Sequence, residues 1–184
     1  DFIKTSLGAA TVSALAAEAA AAAKVAYKPP PQPSPEIMDA LNYEEWGKIR
    51  YDTSSAIYAT GPQQSPLTFF HLGKFFRKAI QFHLVEGGQA REILYDQSYF
   101  EMPADSPARK LAKGAGFAGF KLQEPKNGPL DWRTNDWVAF LGASYFRAIG
   151  ELRQYGLSAR GIALDTWQIG REEEFPDFTK FWVG

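Results

Sequence analysis

The carboxylates come first among the side chains that could do chemistry, because two of them can protonate a leaving oxygen and activate a water. Asp131 and Asp136 bracket a segment holding Trp132 and Trp137, Asp165 ends an apolar run, and Glu172, Glu173 and Glu174 are consecutive. An inverting acid–base pair must hold its carboxyl groups roughly 6.5–9.5 Å apart. No spacing among these residues singles out such a pair. Asp131 and Asp136 also read as turn residues, and the glutamate run as a solvated loop. Asp165 also reads as a strand-end hydrogen-bond partner for Arg160 or for a backbone amide.

Other reactive constellations are excluded more firmly. The chain has no cysteine, which rules out disulfides and thiolate metal centres. Its two histidines, His71 and His83, stand in the apolar runs FFHL and QFHL. They show no H-x-H or H-E-x-x-H spacing and read as core or edge residues, so no metal is expected. Ser144 and Ser158 sit in no G-x-S-x-G pattern. Gly114-Ala115-Gly116 is followed by no phosphate-binding helix, and no cofactor is expected. A net charge of -1 with acids and bases nearly balanced argues against nucleic acid and against a polybasic membrane surface.

A more specific signal lies in residues 135–166, which pack aromatic, small and cationic side chains into two β-like segments. In an extended backbone Trp137, Ala139, Leu141, Ala143, Tyr145 and Arg147 share one face, and Val138, Phe140, Ser144 and Phe146 share the other. The alanines leave room above the first face. Tyr145 offers a flat ring and Arg147 a fork of donors beside that space, which suits a polyhydroxylated ligand. Arg147 and Arg160 either bind such a ligand or pair structurally with Asp165 and Glu151. The candidate binding residues are therefore Trp137, Tyr145, Arg147, Arg160 and Asp165.

The elements that must position these residues are mainly β. Residues 1–23 open with DFIK and continue as a mildly apolar, alanine-rich run, which reads as an export signal removed near residues 21–23. The run is interrupted by Glu18 and is too weakly hydrophobic for a comfortable membrane span. The alternative is an alanine-rich amphipathic helix. Residues 24–35 form a proline-rich, extended lead-in. Short helices are expected at 35–40, where Ser34 could act as the cap, and at 43–49. Strands follow at 66–72, 79–85, 91–95 and 117–122, with Gly87-Gly88 marking a hairpin with a longer loop. Glycine-rich junctions and regular strand spacing favour a sandwich over βαβ units, and 184 residues suffice for one domain core.

Several segments carry a resemblance, in order: YEEWGKIRY at 43–51, FFHLGKFF at 69–76, FAGFKL at 117–122, FLGASYFRA at 140–148, YGLSARGIALDT at 155–166 and EFPDFTKFW at 174–182. Together they resemble the periplasmic glucan biosynthesis proteins of the MdoG/OpgG and OpgD type. The resemblance implies an antiparallel, galactose-mutarotase-like β-sandwich, with residues 36–184 its incomplete N-terminal part. It also implies a periplasmic location and a β-1,2-linked glucan as partner, acted on by an inverting glucanase or by glucosyl transfer. The catalytic carboxylates are then expected downstream of Gly184. DFIK is similar to the tail of a twin-arginine export motif, which favours the OpgD branch, although the arginine pair is not in the chain. A non-catalytic sandwich that organises a glucan backbone is the other reading, and a fragment that folds poorly alone is a third. A homodimer is compatible with the sequence, which leaves the oligomeric state open.

Overall fold

A computed structural model of the chain describes residues 9–26, 32–59, 65–124, 135–142, 144–152, 154–160, 164, 167–172 and 176–184. Alanine has the highest helix propensity, and the alanine-rich run forms α1 (Ala9–Ala22). Its Glu18 pairs with Lys180 at 2.5 Å. Two short helices follow, α2 (Pro35–Ala40) and α3 (Tyr43–Gly47). The cap of α3 is Asn42, whose side chain accepts from the Glu45 N–H at 3.0 Å. Ser34 occupies the capping position of α2 but its hydroxyl makes no cap bond. Pro35 starts that helix instead, since its fixed φ suits the first turn and it has no N–H to satisfy.

From residue 50 the chain is mainly β. The strands are β1 (Arg50–Tyr51), β2 (Leu67–Phe70), β3 (Gln81–Glu86), β4 (Gln89–Ile93), β5 (Phe100–Glu101) and β6 (Gly119–Gln123). They continue with β7 (Asp136–Leu141), β8 (Tyr145–Ile149), β9 (Tyr155–Arg160) and β10 (Lys180–Val183). Three 3-10 turns, Thr53–Ser55, Gln97–Tyr99 and Pro107–Lys110, add helical backbone beyond the two short helices expected from the sequence. Each is opened by a side chain, of Asp52, Asp96 or Ser106, that accepts from the N–H two residues on.

Two sheets dominate. One has the order β2-β6-β7-β8-β9 and is antiparallel throughout. The other has the order β10-β3-β4, with β10 parallel to β3. The β3–β4 hairpin closes on Gly87-Gly88 alone, because Glu86 pairs with Gln89. Both glycines lie at positive φ, 57° and 78°, as a tight two-residue turn requires, so the longer loop expected there is absent.

The sheets face each other through phenylalanines. Phe82 of β3 and Phe181 of β10 meet Phe69, Phe120 and Phe140 of the larger sheet, with ring centroids 4.9–5.5 Å apart. Phe117 stacks on Phe69 at 4.0 Å. Edge-to-face and offset contacts of this kind stabilise beyond the area they bury. Leu67, Leu72, Phe82 and Phe117 are fully buried. The inner face of the larger sheet is thus filled; on its opposite face Thr68 is buried, Lys121 and Ala139 are half-buried, and Arg147 is exposed.

Candidate functional site

That opposite face collects the residues selected from sequence, by a route the sequence did not reveal. Residues 137–147 are not one strand. β7 ends at Leu141 and β8 begins at Tyr145, and Phe140 pairs with Phe146 across the hairpin. In an antiparallel pair, directly opposed residues project to the same side. The three-residue connection 142–144 keeps odd-numbered residues opposite odd ones, so Ala139 is opposed to Arg147. The alternation read along one strand therefore survives the fold-back. Phe140 and Phe146 meet on the inner side at 5.5 Å.

The outer face can be followed strand by strand. Thr68 pairs with Lys121, Lys121 with Ala139, Ala139 with Arg147, and Arg147 with Ser158. In the adjacent row Phe70 pairs with Gly119, Gly119 with Leu141, and Tyr145 with Arg160. Ala139 is thus a small floor between Lys121 and Arg147, which stand two strand spacings apart, roughly 10 Å. Lys121 Nζ lies 2.8 Å from Asp136 Oδ1 and 5.4 Å from the centre of the Phe70 ring. The Tyr145 ring is half-buried, while its hydroxyl reaches the surface and donates to Ser158 Oγ at 2.8 Å. The Arg160 guanidinium lies 5.9 Å from the centre of the same ring, within cation–π range. The Ser158 hydroxyl, then the hydrogen bond and charge of Arg147, with Arg160 beyond, hold the phenol below its ordinary pKa. Arg147, Ser158 and Arg160 are exposed.

Tyr145, Arg147 and Arg160 are thus brought together. Trp137 is half-buried at a register shift, because Leu122 pairs with Val138 while Gln123 pairs with Asp136. Trp137 is the extra residue of that bulge, and the carboxylate beside Lys121 belongs to Asp136. Asp165 lies outside the described residues, as do Asp131 and Ala143. Sequence reasoning missed Lys121 and Ser158. Both were detectable as the polar positions of period-2 strands, in FKL and LSA. Trp167, 90% exposed with φ of 62°, was also passed over.

A second concavity, about 700 Å³, lies between the lead-in, the β3–β4 hairpin and residues 110–116. Lys110, Lys113, Lys180 and Glu92 line it. Among the described residues its one lining aromatic, Tyr95, is fully buried, with its hydroxyl 2.9 Å from His71 Nε2, so none of them offers a ring for a sugar to stack on.

His71 is a core residue, as its apolar run implies. The Leu72 carbonyl can only accept, so His71 Nδ1–H donates to it at 2.6 Å and Nε2 accepts from Tyr95. Burial pushes its pKa down to about 4, opposed weakly by the Leu72 bond. The unfolded chain therefore takes up this proton first as pH falls. Stability is complete above the ordinary value of 6.5 and declines between pH 6.5 and about 4. The expected loss is about 3 kcal/mol, measurable by denaturant melts across that window. His71→Gln, which cannot titrate, should be less stable at pH 7.5 but show a flatter profile. An unchanged slope in that variant would refute the assignment.

The comparisons with known proteins bear on this geometry. The family model described as periplasmic glucan biosynthesis protein, MdoG, matches residues 11–184. The chain is 60% identical over 172 residues to glucans biosynthesis protein D 2 of Ralstonia nicotianae, covering 92% of this chain and 32% of that protein. It is 39% identical over 170 residues to glucans biosynthesis protein D of Xanthomonas campestris pv. campestris, covering 92% of this chain and 31% of the relative. To glucans biosynthesis protein G of Ralstonia nicotianae it is 37% identical over 169 residues, covering 92% and 33%. The chain thus spans about a third of the length of these curated relatives. A match over nearly its whole length, on a mainly β chain with two facing sheets, places the chain in the periplasmic glucan biosynthesis protein family, MdoG.

Proposed function

We propose that the chain is the N-terminal part of a protein that builds or remodels osmoregulated periplasmic glucans, and that it holds a β-1,2-linked glucan backbone on the outer face of the five-stranded sheet. The carrying observation is the shape of that face: an alanine floor between two cationic side chains, flanked by the half-buried Tyr145 ring. A sugar ring can lie on the floor, stack on the phenol and give its hydroxyls to guanidinium donors. Residues 1–23 serve as an export leader and 24–35 as a lead-in, consistent with the family's periplasmic description. The greater identity to protein D 2 than to protein G of the same organism supports the D branch.

The catalytic carboxylates of an inverting glucanase or transglucosylase lie, on this reading, beyond Gly184. Asp136, a carboxylate beside the face, is paired with Lys121 at 2.8 Å. The purified chain should therefore release no short β-1,2-linked oligosaccharides from glucan. Product formation by the chain alone would return attention to Asp131, Asp136 and Asp165. The same engaged Asp136 favours the second reading, a sandwich that organises the glucan without cleaving it. Turnover by the full-length protein decides between the two.

The binding face has its own test. Tyr145→Ala in the full-length protein should weaken glucan binding by about ten-fold, the scale of one lost aromatic contact. The melting temperature should fall only modestly, because the ring is half-buried rather than core and its hydroxyl is at the surface. Full affinity in Tyr145→Ala would remove the face from consideration.

A further inference from the structure

Two aromatic rings stand in solvent, where the core gains little from them. Tyr43, at the start of α3, is 74% exposed, and Phe75, between β2 and β3, is 67% exposed. Apolar rings grouped on a surface mark a contact site. These two belong to separate segments, yet they line one shallow depression together with the fully buried Leu41. The backbone that presents them is fixed. Gly73 and Phe76 exchange backbone hydrogen bonds at 3.2 and 3.0 Å, closing the turn that carries Phe75. The Lys74 N–H donates to the Leu41 carbonyl at 2.9 Å, which ties that turn to the chain just ahead of α3. Trp46 follows Tyr43 by one helical turn and donates its indole N–H to the His71 carbonyl at 2.8 Å. It also lies so close to Gly73 that an added Cβ would meet its ring at 2.5 Å. Rings presented from a rigid backbone lose little freedom when something binds them.

The depression adjoins the β7–β8 hairpin. Phe76 lies 5.4 Å from Trp46, and its ring is 3.7 Å from where a Cβ on Gly142 would stand. Tyr145 opens β8 just after that connection. The charges on the same two segments are paired, Lys48 with Glu44 and Glu45, and Arg77 with Asp39. A stable protein partner needs a contact of about 1,200 Å² with an apolar centre. Two rings set among ion pairs do not supply one. A sugar, by contrast, can lay its C–H face on a phenyl or phenol ring and keep its hydroxyls in water. Resting on the reading of the outer sheet face as a glucan surface, we propose that Tyr43 and Phe75 form a second, aromatic glucan subsite, which takes the apolar faces of sugar rings further along the same polymer. The turn at Gly142 is then where the glucan leaves the sheet face and passes to the Tyr43–Phe75 depression. Recognition there is of the neutral sugar ring and calls for no charge on the glucan.

The test is equilibrium binding of the full-length protein to long, unsubstituted β-1,2-linked glucan. Tyr43→Ala and Phe75→Ala should each weaken binding by about ten-fold, the scale of one lost aromatic contact. Phe75→Trp should keep the affinity and add a reporter. Its extra indole should be open to a soluble quencher in the free protein, and glucan should shift its emission to the blue relative to the parent protein treated alike. Melting curves accompany each variant, and if Tyr43→Ala fails to fold, the emission of Phe75→Trp carries the test. Unchanged affinity in both alanine variants, with Tyr145→Ala still impaired, overturns the aromatic subsite and leaves the outer face standing. Loss at Tyr43 and Phe75 with full affinity in Tyr145→Ala sinks the outer face and leaves the aromatic subsite. Absence of any glucan binding overturns both. An indole at position 75 already shielded before glucan is added shows that another part of the protein covers the depression. Shielding that grows with protein concentration shows a second copy there. Either result overturns the aromatic subsite.

Discussion

Phe82→Ala is expected to cost about 3–5 kcal/mol of stability, because it removes the ring on which the two sheets close. Phe82 is fully buried. Its ring sits edge-on to Phe69 at 4.9 Å and to Phe120 at 5.1 Å. Those neighbours are themselves fixed, Phe69 by Phe117 and Phe120 by Phe140 and Phe181. The cavity cannot collapse without moving the rings of three strands, so both the transfer loss and the cavity penalty remain. The melting temperature should fall by about 10 °C for a domain of this size. Phe75→Ala is the control, since that ring is 67% exposed and its loss should stay within about 0.5 kcal/mol. A loss of less than 1 kcal/mol at Phe82 would mean that the sheets are not held together through this residue.

Gly119→Ala should do at least as much damage, by a different mechanism. A Cβ there would lie 2.0 Å from the Phe140 carbonyl oxygen and 2.9 Å from Leu141 Cα. Both are backbone atoms of the paired strand and cannot swing aside as a side chain can. Relief requires β6 and β7 to separate at Gly119–Leu141, where the register is otherwise regular. The expected cost is about 4 kcal/mol, at the extreme of single substitutions. Because β7 carries Ala139, the glucan binding proposed for this face should be lost in the same variant. Gly87→Ala separates steric from conformational cost. It has open space but φ of 57°, and should lose only about 1 kcal/mol. A Gly119→Ala protein with wild-type melting and binding would show that the β6–β7 spacing is looser than described.

Period-2 alternation made much of this architecture readable, and it failed where pairing is set by distant contacts. The strands at 66–72, 79–85, 91–95 and 117–122 were visible because apolar and aromatic residues alternate between turn signals. The parallel pairing of β10 with β3 was not, because it joins residues about a hundred positions apart and leaves no local mark. The Gly87-Gly88 turn was placed correctly but read as part of a longer loop, since the glycines indicate a reversal and not its length. The displacement of Trp137 comes from a bulge, an extra residue that alternation cannot announce. At the candidate site, Tyr145, Arg147 and Arg160 were legible as misfits for a core strand. Lys121 was legible only as the polar position of a period-2 strand; its place beside the site emerges once β7 is laid beside it.

The connection between β7 and β8 behaves like a reading frame. Its three residues set β8 so that Tyr145 and Arg147 face outward while Phe146 joins Phe140 inside. Slipping β8 by one residue against β7 would invert every side chain of the strand, turning a guanidinium toward the phenylalanine layer and a phenyl ring toward water. A slip of two would restore the phase. A protein engineered or diversified at 142–144 must therefore keep the pairing phase that Phe140 and Phe146 share, whatever the length of the loop.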